Sequence, residues 1–393
     1  MTVLMRGSAE VPKLLFLATE DWAFCSHRLP MARAALAAGF EVVVATRVEA
    51  HRARIEAEGF RVHAIDWRRR GNGPWATARA VLDIAALYRR EQPDIIHHVA
   101  MKPVIVGGLA AWLAGCRSVV NALTGLGYVF IGDSPVKRVI QAVIRFVLKR
   151  PGSRLLLQNR DDARFLVSRG FADPARLTVI RGSGIDIDHY APLPEPESGP
   201  VTVAYVGRML EDKGIPTLAE AHRLVRARGV DLRLVLVGTP DPENPTTVTE
   251  ATLRDWASRP GLEWWGAVSD VRTVWRDAHF AVLPSRREGL PKSLLEAASC
   301  ARALIATDVP GCREIAHAGE NALLVPPDDP QALAEALETL ATDAALRARF
   351  AAVSRALVVS DLAAGPVGAR TVELYRSLLN EGAGSGRTPL DSP

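Results

Sequence analysis

The chain has 393 residues, 48% of them apolar, and a formal net charge of +4. That is enough apolar material for two cores, at the ~100–200 residues a domain usually takes; the longest apolar stretches, near 104–116 and 136–148, are too short to span a bilayer. Charge is unevenly spread: residues 1–181 carry 27 Lys/Arg against 15 Asp/Glu and the remainder 21 against 29, so the N-terminal half suits an anionic membrane surface, a pyrophosphate or a nucleic acid.

Cys25, Cys116, Cys300 and Cys312 form no C-x-x-C pair, and none has zinc-ligand spacing to a histidine. They read as reduced thiols of a cytosolic protein. The first dozen residues hold no apolar core of a signal peptide.

From Lys13 onward strand and helix alternate. Apolar runs at 13–19, 41–46, 61–65, 94–98, 118–122, 154–158 and 177–180 predict buried parallel strands. Helical spacing over 29–38, 51–58, 75–91, 103–114, 135–149 and 160–169 predicts helices between them, three of them closed by Gly39, Gly59 and Gly115. Residues 191–200 (APLPEPESGP) contain four prolines and predict a semi-stiff connector. The alternation then restarts, with strands at 201–206, 231–237, 262–265, 279–284, 303–307 and 322–325. Helices are predicted at 214–228, 250–258, 270–276, 292–300, 311–316, 330–339 and 344–358. The expected organisation is one domain over 1–190, a connector over 191–200 and a second domain over 201–365. A helix over 366–380 then returns to the first domain, and a disordered tail occupies 381–393. Repeated βαβ units imply mostly parallel sheets with helices on both faces.

Residues 288–296 read E-G-L-P-K-S-L-L-E. Gly289 permits close backbone approach, and Pro291 suits a first helical turn, where its missing N–H costs nothing. The amides of the following turn, near Lys292–Leu294, and the helix dipole favour an anion such as a diphosphate. Glu288 precedes the helix and Glu296 lies about two turns inside it. Carboxylates accept well from sugar hydroxyls, so the two are suited to holding different sugars. The preceding strand puts the loop at a sheet's C-terminal edge, where α/β proteins bind ligands. A capped helix with two solvated carboxylates is the other reading of these residues.

A strand followed by Glu, seven residues and Glu at a helix start resembles the signature of glycosyltransferase family four. Thr307–Glu314 (T-D-V-P-G-C-R-E), Gly207–Gly214 (G-R-M-L-E-D-K-G) and Gly184-Ile185-Asp186 with Tyr190 are similar to that family too, and the resemblance runs from about residue 13 to about 378. It implies an α/β GT-B fold: two Rossmann-like parallel-sheet domains facing a cleft, with a C-terminal helix crossing back to the first. It also implies retaining transfer from a nucleotide sugar. The catalytic residues it implies are Arg208 and Lys213, on the donor diphosphate, and Glu288, on the donor-sugar hydroxyls. Glu296 would take the ribose diol, and Gly289, Leu290, Pro291, Ser293 and Leu295 would line the donor pocket. Arg, Lys and a helix N-terminus would neutralise the leaving group, so no metal and no cofactor besides the donor is expected.

By the same resemblance the first domain takes the acceptor. Ser26–Pro30 (S-H-R-L-P) follows the first strand and opens a helix, which makes His27 and Arg28 candidates. Asn121–Gly127 (N-A-L-T-G-L-G) is a second cleft loop. There Thr124, beside Gly125, stands where many members have a His or an acid, so a general-base role for this loop is left open. His97, His98 and Lys102 flank the end of the fourth strand, and Lys102 is the candidate for an anionic acceptor. Arg28-Leu29-Pro30, Gly125–Gly127 and Val237-Gly238 followed by P-D-P-E-N-P resemble the bacterial branch that extends undecaprenyl-diphosphate-linked sugars. That implies a UDP-sugar donor, an N-acetylhexosamine or hexose, and a polyprenyl-diphosphate-linked acceptor.

Within 136–150, Val136, Val139, Ile140, Val143, Ile144, Val147 and Leu148 form one apolar stripe among Lys137, Arg138, Arg145, Lys149 and Arg150. This reads as an interfacial basic helix or as a core-facing helix with solvated cations. With the basic half, it leads to the expectation of peripheral contact with the anionic inner face of the cytoplasmic membrane. No aromatic-interleaved basic patch points to nucleic acid. The competing functions are a same-fold transferase of exopolysaccharide or lipopolysaccharide with another donor, a UDP-sugar 2-epimerase, and a non-enzymatic nucleotide-sugar-binding subunit.

Overall fold

The apolar runs of the N-terminal half become seven strands: β1 (Lys13–Glu20), β2 (Glu41–Arg47), β3 (Arg61–Ala64), β4 (Ile95–Val99), β5 (Val119–Leu123), β6 (Ser153–Leu157) and β7 (Leu177–Val179). They pair in the order β3-β2-β1-β4-β5-β6-β7, every ladder parallel. Between them run α1 (Asp21–His27), α2 (Leu29–Ala37), α3 (Arg52–Glu56), α4 (Pro74–Glu91), α5 (Met101–Leu113), α6 (Pro135–Lys149) and α7 (Arg160–Ser168). The period of two along a strand divides the core: Leu15 and Leu17 of β1 face α4 and α5, while Leu14 and Phe16 face α1 and α2. This computed structural model describes residues 11–67, 73–126, 128–130 and 134–384.

The second half repeats the scheme. Strands β8 (Val201–Val206), β9 (Leu232–Val237), β10 (Leu262–Gly266), β11 (Phe280–Leu283), β12 (Ala303–Thr307) and β13 (Ala322–Val325) pair as β10-β9-β8-β11-β12-β13, again all parallel. Their helices are α8 (Ile215–Ala227), α9 (Glu250–Ala257), α10 (Arg272–Asp277), α11 (Lys292–Ser299), α12 (Pro310–Arg313), α13 (Pro330–Thr342) and α14 (Ala344–Leu357). In both sheets strand order reverses beside the first strand, between β1 and β4 and between β8 and β11. Such a switch point opens a crevice at the carboxyl ends of the strands.

The chain divides into two units. Among the described residues, one is built from 11–157, Asp162–Ser183 and 367–384; the other is built from Gln158–Asp161 and Gly184–Pro366. The last helix, α15 (Ala364–Gly384), returns to the first unit, where Val367, Leu374, Tyr375 and Leu378 join the core beside α2.

Four details depart from the expectations. The proline-rich run 191–200 is not a free connector, because Arg302 donates to the Leu193 and Pro194 carbonyls at 2.7 Å and Arg347 meets Glu195 at 3.3 Å. It is tied to the second unit, and the chain changes units at Ser183–Gly184. The S-H-R-L-P segment does not follow β1 directly. The short helix α1 comes first and takes in Ser26 and His27 as its last two residues; it is tethered by the Asp21 carboxylate, which accepts the amides of Glu49, Ala50 and His51 at 2.8–3.0 Å. The apolar stripe of α6 is split: Ile144, Val147 and Leu148 are buried, whereas Val136 and Val139 face solvent. Finally, α15 reaches Gly384, so the expected tail begins as helix; residues 385–393 lie outside the described residues.

Candidate functional site

The loops that leave β8 and β11 meet at the switch point of the second sheet. Gly214 makes this approach possible: its φ is +72°, and a Cβ there would collide with the Pro284 carbonyl. The turn Glu211–Lys213 thus comes up against the loop 284–291. There the Lys213 Nζ lies 2.5 Å from Glu288 Oε1, and the buried Ser285 hydroxyl donates to the same oxygen at 2.6 Å. The Thr307 hydroxyl fixes Ser285 by donating to its carbonyl. Glu288 and Gly289 are backed by Gly311, where a Cβ would stand 2.6 Å from the Glu288 and Gly289 carbonyl oxygens. The Asn159 amide donates to the Gly289 carbonyl at 2.9 Å.

Arg208 projects from the same β8 loop. Its guanidinium donates to Asp241 at 2.7 Å, and its carbonyl accepts from the buried Tyr205 hydroxyl at 2.9 Å. Burial, with the Glu288 charge adding, holds the Tyr205 phenol protonated well above its ordinary range. Behind Glu288 begins α11, with Pro291 at its N-cap in extended conformation and Ser293 half-buried in the first turn. The first-turn amides of an α-helix have no intrahelical acceptor and carry the positive end of the dipole. Glu296, one side of α11 further on, is buried; Lys292 Nζ lies 3.3 Å from its carboxylate and the Tyr190 hydroxyl donates to it at 3.0 Å. Burial raises its carboxyl pKa, and Lys292 and Tyr190 offset this only in part.

The structure therefore brings Lys213 and Glu288 into contact, with Gly289, Leu290 and Pro291 on the adjoining loop and Ser293 in the first turn of α11. Leu295 is a correction: its side chain is 1% exposed in the second core and its amide already donates to the Pro291 carbonyl, leaving nothing to offer a ligand. Ser285, Asp241 and Asn159 join the site through their contacts with Glu288, Arg208 and the Gly289 carbonyl, beyond the residues the sequence points to. Ser285, three residues before Glu288 at a strand end, was the most legible of them. The D-x-D string Asp186-Ile187-Asp188 is a turn, in which Asp186 accepts the amides of Asp188 and His189. Among the described residues no group of three or more His, Cys, Asp or Glu is placed to hold a metal ion.

The acceptor candidates lie in the first unit, beyond the carboxyl ends of β1, β4 and β5. His27 ends α1 and is half-buried, as are Thr124 and Gly125 after β5. Lys102, in the first turn of α5, sits 5.4 Å from the centroid of the Trp67 ring, and partial burial lowers its pKa. Arg28 is a correction. It is 1% exposed, donates to the His27 carbonyl at 3.1 Å, and burial lowers its pKa to about 10, so it is a core residue rather than a presented one. His97 and His98 are likewise buried: His97 Nδ1 meets the Tyr375 hydroxyl at 2.7 Å, and His98 bridges Tyr88 and Asn121.

Two family models match the chain: "Glycosyl transferase 4-like" over residues 13–159 and "Glycosyl transferases group 1" over residues 200–343. The chain is 24% identical over 351 residues to N,N'-diacetylbacillosaminyl-diphospho-undecaprenol alpha-1,3-N-acetylgalactosaminyltransferase of Campylobacter jejuni, covering 86% of this chain and 91% of that one. It is 26% identical over 245 residues to UDP-Gal:alpha-D-GlcNAc-diphosphoundecaprenol alpha-1,3-galactosyltransferase of Escherichia coli, covering 59% and 62%. Anabaena HepE, solved in complex with UDP and glucose, superposes with a TM-score of 0.76 at 18% identity over 93% of this chain and 100% of that one. Sucrose-phosphate synthase from Thermosynechococcus elongatus gives a TM-score of 0.77 at 19% identity, over 94% and 100%. The two parallel-sheet units are those of the GT-B fold.

Proposed function

The chain belongs to the glycosyltransferase family that these two models describe, and from that premise we propose that it moves a hexose or N-acetylhexosamine from a UDP-sugar to a polyprenyl-diphosphate-linked saccharide, with retention of configuration. The observation that carries this reading is the contact of Lys213 with Glu288 at the switch point of the second sheet, in front of α11. A diphosphate there meets the Lys213 ammonium, the Arg208 guanidinium and the first-turn amides at Ser293 and Leu294. Glu288 accepts from the donor-sugar hydroxyls, and Glu296 accepts from the ribose diol.

In the proposed step the bond from the anomeric carbon to the diphosphate oxygen breaks and UDP departs with the electron pair. The acceptor oxygen bonds to the same face of that carbon, and its proton passes to the departing diphosphate. Arg208, Lys213 and the helix dipole take up the leaving-group charge, so the reaction proceeds without a metal. His27, Lys102, Thr124 and Gly125 line the acceptor side. The names of the Campylobacter and Escherichia relatives support the lipid-linked acceptor. The basic N-terminal half supports a peripheral position on the cytoplasmic face of the membrane, and no described helix is long and apolar enough to cross it.

The test is incorporation from a panel of nucleotide sugars into polyprenyl-diphospho-saccharides, with anomeric analysis of the product. Transfer from a UDP-sugar with retention is expected. Conversion of UDP-N-acetylglucosamine in the absence of any acceptor would overturn the reading in favour of an epimerase.

A further inference from the structure

The P-D-P-E-N-P string lies within residues 239–248, which join β9 to α9 and have no role in the transfer step above. Prolines at 240, 242 and 245 each fix a φ angle, so the segment has little conformational freedom to lose on folding. It is laced to the β8 loop from end to end. The Met209 amide donates to the Thr239 carbonyl at 3.0 Å, Glu211 donates to Thr246 at 2.7 Å, and Val248 donates back to Met209 at 2.8 Å. Leu210 and Thr247 pair as an antiparallel bridge. The stretch 207–213, which carries both Arg208 and Lys213, therefore rests on residues 239–248 as on a mount.

Asp241 is where this mount reaches a cation. Its Oδ2 accepts from Arg208 Nη1 at 2.7 Å and its Oδ1 accepts the Glu243 amide at 3.2 Å, so both carboxylate oxygens are engaged. Its own amide donates to the Thr247 hydroxyl at 2.8 Å. The carboxylate is the shielded partner: the Asp241 side chain is 16% exposed and that of Arg208 41%. A long side chain is thus held by a short one whose backbone and oxygens are fixed. The guanidinium has five N–H donors in a planar fork, and a hold through Nη1 leaves the Nε–Nη2 edge to a ligand. An unheld Arg gives up rotamer freedom when it binds an anion, whereas one already aimed gives up less.

We propose that Asp241 is a positioning residue for the donor diphosphate: it aims Arg208, and the loop 239–248 sets that cation before the nucleotide arrives. The proposal rests on the diphosphate reading of this site and adds the residue through which Arg208 becomes effective. Charge and aim act in opposite directions here. A carboxylate beside a diphosphate repels it, so if charge decided, removing the carboxylate would tighten UDP binding. If aim decides, losing the side chain weakens UDP. An amide of the same shape, whose oxygen still accepts from Arg208, keeps the affinity.

The experiment is calorimetric titration of UDP and UMP into the full chain as wild type, Asp241→Ala, Asp241→Asn, Arg208→Ala and the double variant Asp241→Ala/Arg208→Ala, with a thermal melt of each. Asp241→Ala is expected to weaken UDP about tenfold, the scale of one charge-assisted hydrogen bond, and to leave UMP close to wild type. Asp241→Asn should hold UDP within about threefold of wild type or bind it more tightly, because the neutral acceptor is weaker but in place. In the Arg208→Ala background, Asp241→Ala should add less than about twofold, since nothing is left to aim. Asp241→Glu keeps the charge and shifts the acceptor by one methylene, which gives a second reading should the alanine variant fail to fold. UDP several-fold weaker is expected, and wild-type affinity would count against the proposal. Asp241→Ala that binds UDP as well as wild type or better would overturn it. So would a loss that recurs in full without Arg208, or that asparagine does not restore, because the residue would then only hold up the loop. Wild type without a preference for UDP over UMP would remove the diphosphate reading and this proposal with it. An unchanged Asp241→Ala beside a wild type that prefers UDP removes the proposal alone.

Discussion

The Lys213 ammonium and the Glu288 carboxylate, 75 positions apart in sequence, touch at 2.5 Å where the β8 and β11 loops converge. Each holds the other in place before any donor arrives. The pair is largely screened from solvent, and Ser285 completes the hydrogen bonding of the carboxylate oxygen that Lys213 uses.

Groups in contact do not act independently. Lys213→Met and Glu288→Gln are each expected to lower kcat/KM by about 100- to 1000-fold, the range for losing one charge-stabilising group in a transition state. The double variant should fall well short of the product of the two losses. Steady-state kinetics of the four proteins gives the coupling; strict multiplicativity would show that the two residues serve separate steps.

Gly311 offers a steric test of the same loop. A methyl group at this position meets the Glu288 and Gly289 carbonyl oxygens at 2.6 Å, so Gly311→Ala must displace the backbone that aims Glu288. Activity is expected to drop at least tenfold while the circular dichroism of the chain stays that of wild type, because misplacing a reacting group by about 1 Å costs on the order of 100-fold.

Glu296 sets stability against function. Burial raises its folded-state pKa above the ordinary 4.5, so the folded chain holds the proton more tightly than the unfolded one. Its stabilising contribution is therefore full below pH 4.5 and is lost as pH rises through the folded-state value. Glu296→Gln is expected to melt higher than wild type at neutral pH, with the gap closing toward acid, and to raise KM for the donor. Scanning calorimetry across pH reads the first effect, and donor titration reads the second.

Both sheets were legible because strands buried on two faces read as continuous apolar runs, and because glycines mark the helix ends. The α1 segment was not. Residues 21–27 hold no helical apolar repeat beyond Phe24 and Cys25, and their anchor is Asp21 reaching amides about thirty positions away. Arg28 misled for a similar reason: its charge argues for the surface, while the packing of α1 and α15 buries it. The stripe of α6 was a correct period with an incomplete partner, since α5 and β6 cover its C-terminal half and leave Val136 and Val139 bare. In the candidate site the Glu-x7-Glu spacing marked the loop that precedes α11. The contact of that loop with Lys213 depends on β8 and β11 being neighbours, which the alternation of strands and helices does not reveal.

If the second unit grips a nucleotide through its diphosphate, calorimetric titration of UDP and UMP into wild type, Lys213→Met and Arg208→Ala will read that grip. Wild type should bind UDP at least about tenfold more tightly than UMP, roughly the ~1.4 kcal/mol expected of one charge-assisted contact to the second phosphate. In both variants that preference should shrink to a few-fold at most. An undiminished preference for UDP in both variants would contradict the account.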